Sequence, residues 1–458
     1  MSNESRRAFL KRSAALGVAG AASPFVTQLA GIGEAAAAAA PTDYKALVCI
    51  FLTGGNDYAN TLPPYDPASY ALYQAARPAL AHDRAALAAT ALTPSVALAG
   101  GRQYALAPTM ASLMPVFNAG KMAVVLNVGT LLQPTTKAQY QSSSASLPPK
   151  LFSHNDQQSY WQASNPEGAT SGWGGRLGDL FQSGNGTAQL TCINAASNAV
   201  FMTGRQAIQY SMAPGGPIAL LRGSRSLFGS NTAGTALRTI MSASHSHLFE
   251  NELATTNKRA LDLYTQVNGA LASAPESNFG LFPSTKLGGQ LQIIARMIAV
   301  ASQLGAKRQV FFASVGGFDM HDDLAMKHPG QVGMVADALR AFYDTTAALG
   351  VADKVTSFTA SDFGRTLQPN DNGSDHGWGS MHFVVGGAVK GKRVYGTPPA
   401  IGHDTPDDVG AGRLIPTISV DQYAATLSRW FGVSDTDMRT VLPNIGNYNA
   451  STWGVGFL

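Results

Sequence analysis

Cysteine is scarce, two in 458 residues, so the chain carries at most one disulfide of its own. Cys49 and Cys192 both lie in apolar runs, Leu47-Val48-Cys49-Ile50-Phe51-Leu52 and Leu190-Thr191-Cys192-Ile193. That is the setting of a small buried hydrophobe, and their spacing alone does not support a bond between them. Charge is also sparse, at 13% of residues against 45% hydrophobic, which excludes a disordered chain. The 48 glycines and 24 prolines exclude a coiled coil. Of 32 basic and 28 acidic residues, Arg6, Arg7, Lys11, Arg12, Glu4 and Glu34 fall in the first 40, leaving 28 basic against 26 acidic. That near-neutral body contains no basic run and gives no electrostatic basis for binding nucleic acid or an anionic membrane surface. No stretch holds ~20 strongly apolar residues, so no membrane span is predicted.

What is present begins at the amino terminus. Ser5-Arg6-Arg7-Ala8-Phe9-Leu10-Lys11 precedes a weakly apolar Ala/Gly stretch and the alanine run 35–40 before Pro41. The layout of charged head, apolar middle and small-residue exit resembles a twin-arginine (Tat) signal peptide over residues 1–40. It predicts export by the Tat machinery to the periplasm or the extracellular space, of a protein folded before transport.

Beyond residue 41, short continuous apolar runs alternate with helical patterns. The strand-like runs are 46–52, 122–128, 189–193, 309–315, 355–359 and 383–385; the helical patterns are 66–76, 109–119, 235–271, 287–304, 331–349 and 420–431. Continuous apolarity fits strands buried on both faces, and the intervening helices fit parallel crossovers. The expected fold is a three-layer α/β sandwich with a central, mostly parallel sheet. Residues 41–458 are read as one domain with a mainly helical cap inserted near 200–285.

In an open parallel sheet, ligands bind beyond the carboxyl ends of the strands. Thr53-Gly54-Gly55-Asn56-Asp57 follows the first run, and Gly316-Gly317-Phe318-Asp319-Met320-His321 follows the fourth. The fifth leads into Ser361-Asp362-Phe363-Gly364-Arg365-Thr366 and then Asp375-His376-Gly377-Trp378-Gly379-Ser380-Met381-His382. A divalent metal needs several oxygen or imidazole ligands, and distant segments supply them together only where strand ends converge. Single Asp residues after strands are commonly turn formers; four polar segments in succession point to a shared site.

These motifs, with the Tat-like leader, resemble an exported bacterial family called domain of unknown function 1501, itself similar to a remote branch of the alkaline phosphatase/sulfatase superfamily. The resemblance implies an alkaline phosphatase-like fold and a metal-dependent hydrolase of phosphate or sulfate esters. It implies Asp57, Asp319, Asp362 and His376 as metal ligands, with His382 competing with His376, and His321 as a ligand or an acid/base. The implied cofactor is a divalent metal, Zn²⁺ or Mn²⁺ favoured over Ca²⁺ or Mg²⁺ by a mixed Asp/His set. Phe363 stands where the superfamily has a metal-binding His, which suits one metal or a rearranged pair. Ser153, at the start of a helical pattern, is the candidate nucleophile or a plain N-cap; Thr61 and Thr130 are weaker candidates. Arg365 either binds the anionic substrate or holds Asp362. No Cys-x-Pro-x-Arg sequence occurs, which excludes a formylglycine sulfatase, and no Walker phosphate loop occurs. The alternative is a non-catalytic exported binding or assembly protein that keeps the fold and a structural metal, with an exported partner in place of a small anionic substrate.

Overall fold

Lys45–Leu52 (β1) runs through the middle of the sheet with all but its first residue buried. The computed structural model describes residues 41–220 and 226–458, so the Tat-like segment 1–40 lies outside the described residues. The other strands are Met122–Gly129 (β2), Cys192–Asn194 (β3), Tyr210–Ala213 (β4), Gly216–Pro217 (β5), Arg308–Val315 (β6), Val355–Ser361 (β7), Arg365–Pro369 (β8), Ser374–His376 (β9), Ser380–Gly386 (β10), Arg393–Tyr395 (β11) and Ile418–Ser419 (β12). The main sheet has the order β11-β2-β10-β7-β1-β6-β3-β4-β5, with β12 also pairing with β2, and β8 and β9 form a separate hairpin. The strands β7, β1, β6, β3 and β4 are mutually parallel; β10 is antiparallel to both β2 and β7.

The principal helices are Pro67–Ala76 (α1), His154–Ala163 (α2), Trp173–Phe181 (α3), Asn231–Ser242 (α4), Leu248–Leu271 (α5), Lys286–Ala299 (α6), Leu324–Ala348 (α7) and Val420–Phe431 (α8). Strand alternation divides the core into two layers. Ala46, Val48, Ile50 and Leu52 share one apolar cluster with Leu291 and Ile294 of α6 and Val335 and Leu339 of α7. Leu47, Cys49 and Phe51 share the other with Trp161 of α2, Trp173 and Leu177 of α3, and Tyr423 and Leu427 of α8. The result is the α/β/α sandwich that the continuous apolar runs predict. Residues 200–285 contribute β4 and the edge strand β5 to the sheet and then α4 and α5. Both cysteines are buried and free. Among the described residues, no helix is long and apolar enough to cross a membrane.

Register sets the position of the site. Leu52 pairs with Val315 of β6 and with Ser361 of β7, so the three carboxyl ends finish level. The antiparallel β10 starts at this edge, with Ser380 opposite Val128 near the end of β2. The loops beginning at Thr53, Gly316 and Asp362, and the segment entering β10, therefore emerge side by side.

Candidate metal centre

Two glycines turn the chain after β1. Gly54 and Gly55 have φ of 118° and 81°, and a Cβ on Gly54 would lie 2.4 Å from the Asp319 backbone nitrogen. Only glycine meets both demands without strain. The exposed backbone is used: Gly54 N–H donates to Asp362 Oδ2 (3.2 Å), and its carbonyl accepts from Arg365 Nη1 (2.8 Å). Ser361 ties the neighbouring strand ends by donating to the Leu52 carbonyl (2.7 Å) while accepting from Asn56 N–H (3.0 Å).

After β6, Phe318 is buried and anchors the turn that carries Asp319 and His321. The β8–β9 hairpin sets His376 opposite Arg365. Asp319 Oδ1 lies 3.0 Å from His321 Nε2 and 3.3 Å from His376 Nε2, and Asp319 Oδ2 lies 3.4 Å from His154 Nε2. His376 Nε2 is 3.1 Å from His154 Nε2 and 3.0 Å from His321 Nε2. Three imidazole nitrogens thus gather around one carboxylate.

The outer nitrogens fix which ring atom carries the proton. His376 Nδ1 contacts the Phe152 carbonyl (2.7 Å), an oxygen that can only accept. His154 Nδ1 donates to Asp362 Oδ2 (2.6 Å), and His321 Nδ1 donates to Asp375 Oδ1 (3.2 Å). With Nδ1 protonated, a neutral ring presents a bare Nε2 lone pair, and the three lone pairs face one another. Two such nitrogens cannot hydrogen-bond to each other while both rings are neutral, so either a proton on one ring or a shared cation must lie between them. Tetrahedral Zn²⁺ at ~2.0–2.2 Å from its ligands would space them about 3.3–3.6 Å apart, at or slightly above the separations of 3.0–3.4 Å here. Among the described residues, His154, Asp319 and His376 offer ligand atoms all within 4.8 Å of one another. Among the described residues, Asp362 Oδ1 is buried and has no hydrogen-bond partner, an unmet acceptor next to His154. The residues fit a divalent metal. Imidazole-rich donors suit Zn²⁺ or Mn²⁺ better than Ca²⁺, which takes six to eight oxygens.

Electrostatics act differently on the three groups. The hydrogen bond to Asp362 raises the pKa of His154, whereas burial lowers that of His376. Burial pushes Asp319 up, but the hydrogen bond and charge of Arg365 outweigh it and hold the carboxyl below its usual range. Arg365 is fully buried, donating to Asp319 Oδ1 (2.9 Å) and to the carbonyls of Gly54 and Ser374. Its guanidinium supports Asp319, not Asp362, and is closed to a substrate. Phe363 is buried with its ring centroid 4.8 Å from those of both His154 and His376, so an apolar wall backs the two imidazoles.

Of the residues expected at the site, Asp319, His321, Asp362 and His376 come together, with Asp362 reaching the cluster through His154. Asp57 does not. Its carboxylate is gripped by Arg77, Nη1 to Oδ1 at 2.7 Å and Nη2 to Oδ2 at 2.9 Å, and also accepts from Asn60 N–H and Ser374 Oγ. Arg77 follows α1 and is itself fully buried, so Asp57 is half of an internal ion pair. His382 is also elsewhere: sharing a strand face with Val384, it packs in the core 5.0 Å from Trp161 and 5.9 Å from Tyr423. Burial lowers its pKa to about 3. Ser153 is the N-cap of α2, and its hydroxyl donates to Asp156 Oδ2 (2.9 Å). Thr61 and Thr130 are buried and hydrogen-bonded, to the Asp57 carbonyl and to Gln157 respectively.

Sequence reasoning missed His154. It follows no strand and enters from the first turn of α2; its signal was the histidine next to Ser153. Gln158, one turn on, was missed too and donates to Asp362 Oδ2 (2.9 Å). Arg413 was also missed: half-buried, its Nε donates to the His376 carbonyl (2.7 Å).

A family described as "Protein of unknown function (DUF1501)" matches residues 44–445. No curated protein matches the chain. Among solved structures it is similar to PsFucS1 sulfatase from Pseudoalteromonas sp., with 11% identity, 95% of this chain and 75% of that one covered, and a TM-score of 0.34. It is likewise similar to Ps i-CgsB in complex with k-i-k-neocarrahexaose, with 9% identity, 88% and 77% covered, and a TM-score of 0.34.

Proposed function

From the premise that the chain belongs to the DUF1501 family of proteins of unknown function, we propose that it is a metal-dependent hydrolase of phosphate or sulfate esters, exported through the Tat pathway. One observation carries the reading: three imidazole Nε2 atoms converge beside Asp319, each with its Nδ1 held by an oxygen. His154, Asp319 and His376 would hold the metal. Bound there, a divalent ion supplies Lewis acidity toward an ester oxygen and lowers the pKa of a water ligand.

The protein's own groups do the remaining work. Arg365 fixes Asp319, Asp362 fixes the His154 ring, and the Phe152 carbonyl fixes His376, so little reorganisation is left for the reaction. His321 stands on the open side, its side chain 42% exposed and oriented by Asp375, where its bare Nε2 can take a proton from an attacking water. Arg413 offers a half-buried cation beside His376 for the ester's anionic group. Asp319 is 45% exposed, and such openness suits a catalytic metal, whereas structural sites are closed. Export rests on Arg6-Arg7 and the segment that follows them.

A panel of phosphate and sulfate esters assayed with metal-loaded protein tests the reading. Hydrolysis lost in folded His154→Ala supports it; a metal-loaded, folded protein that cleaves none of the esters overturns it. The Ser153 hydroxyl, committed to Asp156, favours water over a serine nucleophile, and it also motivates a second reading in which the metal is structural and no turnover occurs. That reading expects the His154→Ala variant to lose thermal stability and no activity to exist.

A further inference from the structure

The same helix that supplies His154 also lines a groove. Asn155, Gln158, Ser159 and Gln162 lie on one face of α2 at the i, i+3, i+4, i+7 spacing, and across from them stand Glu167 and Asn198. The space between them measures about 320 Å³, at the lower end of the ~300–1,000 Å³ of small-molecule sites.

Its lining is chemically narrow. Four of the side chains are carboxamides, Glu167 brings the one charge, and the remaining walls are Ser159, glycine, alanine and Val200. Two of those amides are partly engaged with the protein, each leaving one end free among the described residues. Gln158 Nε2 donates to Asp362 while its Oε1 has no partner; Gln162 Oε1 accepts from Phe201 N–H (3.2 Å) while its Nε2 has none. Gln162 lines the groove although the residue is more than nine-tenths buried, and its unmatched Nε2 donor is left there for water or for a ligand's acceptor. The side chains of Asn155 and Asn198 are likewise without protein hydrogen bonds among the described residues.

We infer that this groove binds a neutral polyhydroxylated ligand, a single sugar ring in size. Carboxamides present a donor and an acceptor side by side, which matches vicinal hydroxyls that both give and take hydrogen bonds. A ligand with a net negative charge would meet Glu167 and find no cation in the lining. A peptide would need backbone pairing or apolar pockets, and the groove has neither. Because Asn155 follows His154 and Gln158 touches Asp362, the groove adjoins the candidate metal centre, so its occupant would be the sugar portion of an ester presented to that centre. That last step rests on the proposed hydrolase reading; the groove's own binding does not.

The test is isothermal titration of the full chain with neutral mono- and disaccharides, with glycerol and trialanine as controls. Wild type is compared with Asn155→Ala/Asn198→Ala, two exposed positions whose truncation leaves the core intact, and with His154→Ala. We expect saturable binding of at least one saccharide, weakened at least tenfold by the double substitution and kept by His154→Ala even if hydrolysis is lost. A saccharide that binds while no ester is cleaved leaves the groove standing and overturns the hydrolase. No saccharide binding, equal binding by the double variant, or preference for trialanine overturns the groove.

Discussion

Replacing Asp362 by Asn isolates the part that orientation plays in metal binding. Asp362 does not face the three Nε2 atoms directly; its Oδ2 accepts from Gly54 N–H, His154 Nδ1 and Gln158 Nε2 together. An asparagine oxygen cannot serve all three donors as well, and its NH₂ can turn toward His154 and donate to Nδ1. The imidazole proton then moves to Nε2, toward the metal position, and that ligand is lost without being deleted. Changes to groups that orient metal-binding histidines cost ~10–100-fold in affinity, which is ~1.4–2.7 kcal/mol. At a fixed free Zn²⁺ concentration well above Kd, the stabilisation conferred by metal shrinks by that same amount. The assay is competitive titration of Zn²⁺ against a chromophoric chelator at pH 8, with thermal melts of the metal-free and loaded forms. The metal-free melt should stay near wild type, since Asn keeps the shape and removes a buried carboxylate whose Oδ1 has no partner among the described residues. Zn²⁺ affinity equal to wild type in the folded variant would refute the reasoning.

Arg77→Ala should destabilise the fold by ~3–5 kcal/mol by leaving Asp57 buried and unpaired, both side chains being at most 2% exposed, while the metal content of the folded fraction stays unchanged; chemical denaturation and elemental analysis check the two parts. Gly54→Ala combines a φ of 118° with a Cβ 2.4 Å from Asp319 nitrogen, so it should displace the Asp319 turn and weaken Zn²⁺ binding by at least tenfold. Acid should unfold the protein in a window set by two buried histidines outside the metal cluster. Burial lowers His382 to about 3 and His328 to about 4 from an ordinary 6.5, so each favours the neutral folded form. Their stabilisation is complete above pH 6.5 and falls by up to ~1.4 kcal/mol per pH unit per group as pH drops toward those values. Urea midpoints measured from pH 8 to 4 should decline, and His382→Gln should flatten the slope.

The sheet was legible because its strands are buried on both faces: β1, β2, β6 and β7 match the expected runs to within two residues at each end. Helices were less exact where local chemistry competes with periodicity. The pattern 235–271 is two helices, interrupted at Ala243–His247, where Ser244 and Ser246 favour local turns. Residues 109–119 contain Pro115 and form a 3₁₀ segment followed by one short α-helix. The helix expected from 331 begins at Leu324 and carries Pro329 inside its second turn, a proline that hid the helix's first residues from a periodicity reading. At the site, the residues after parallel strands could be placed by the rule for sheet edges. His154 could not, since it arrives on a crossover helix, and Asp57 was misplaced because its partner Arg77 lies at an unremarkable helix end.

The central claim is that His154, Asp319 and His376 bind one divalent cation. Elemental analysis of the full chain after loading with Zn²⁺ or Mn²⁺ and extensive dialysis, for wild type and for folded His154→Ala and His376→Ala, tests it most directly. The account predicts about one ion per chain in the wild type and a small fraction of that in each variant. A wild type that retains no metal, or variants that retain as much as wild type, would contradict it.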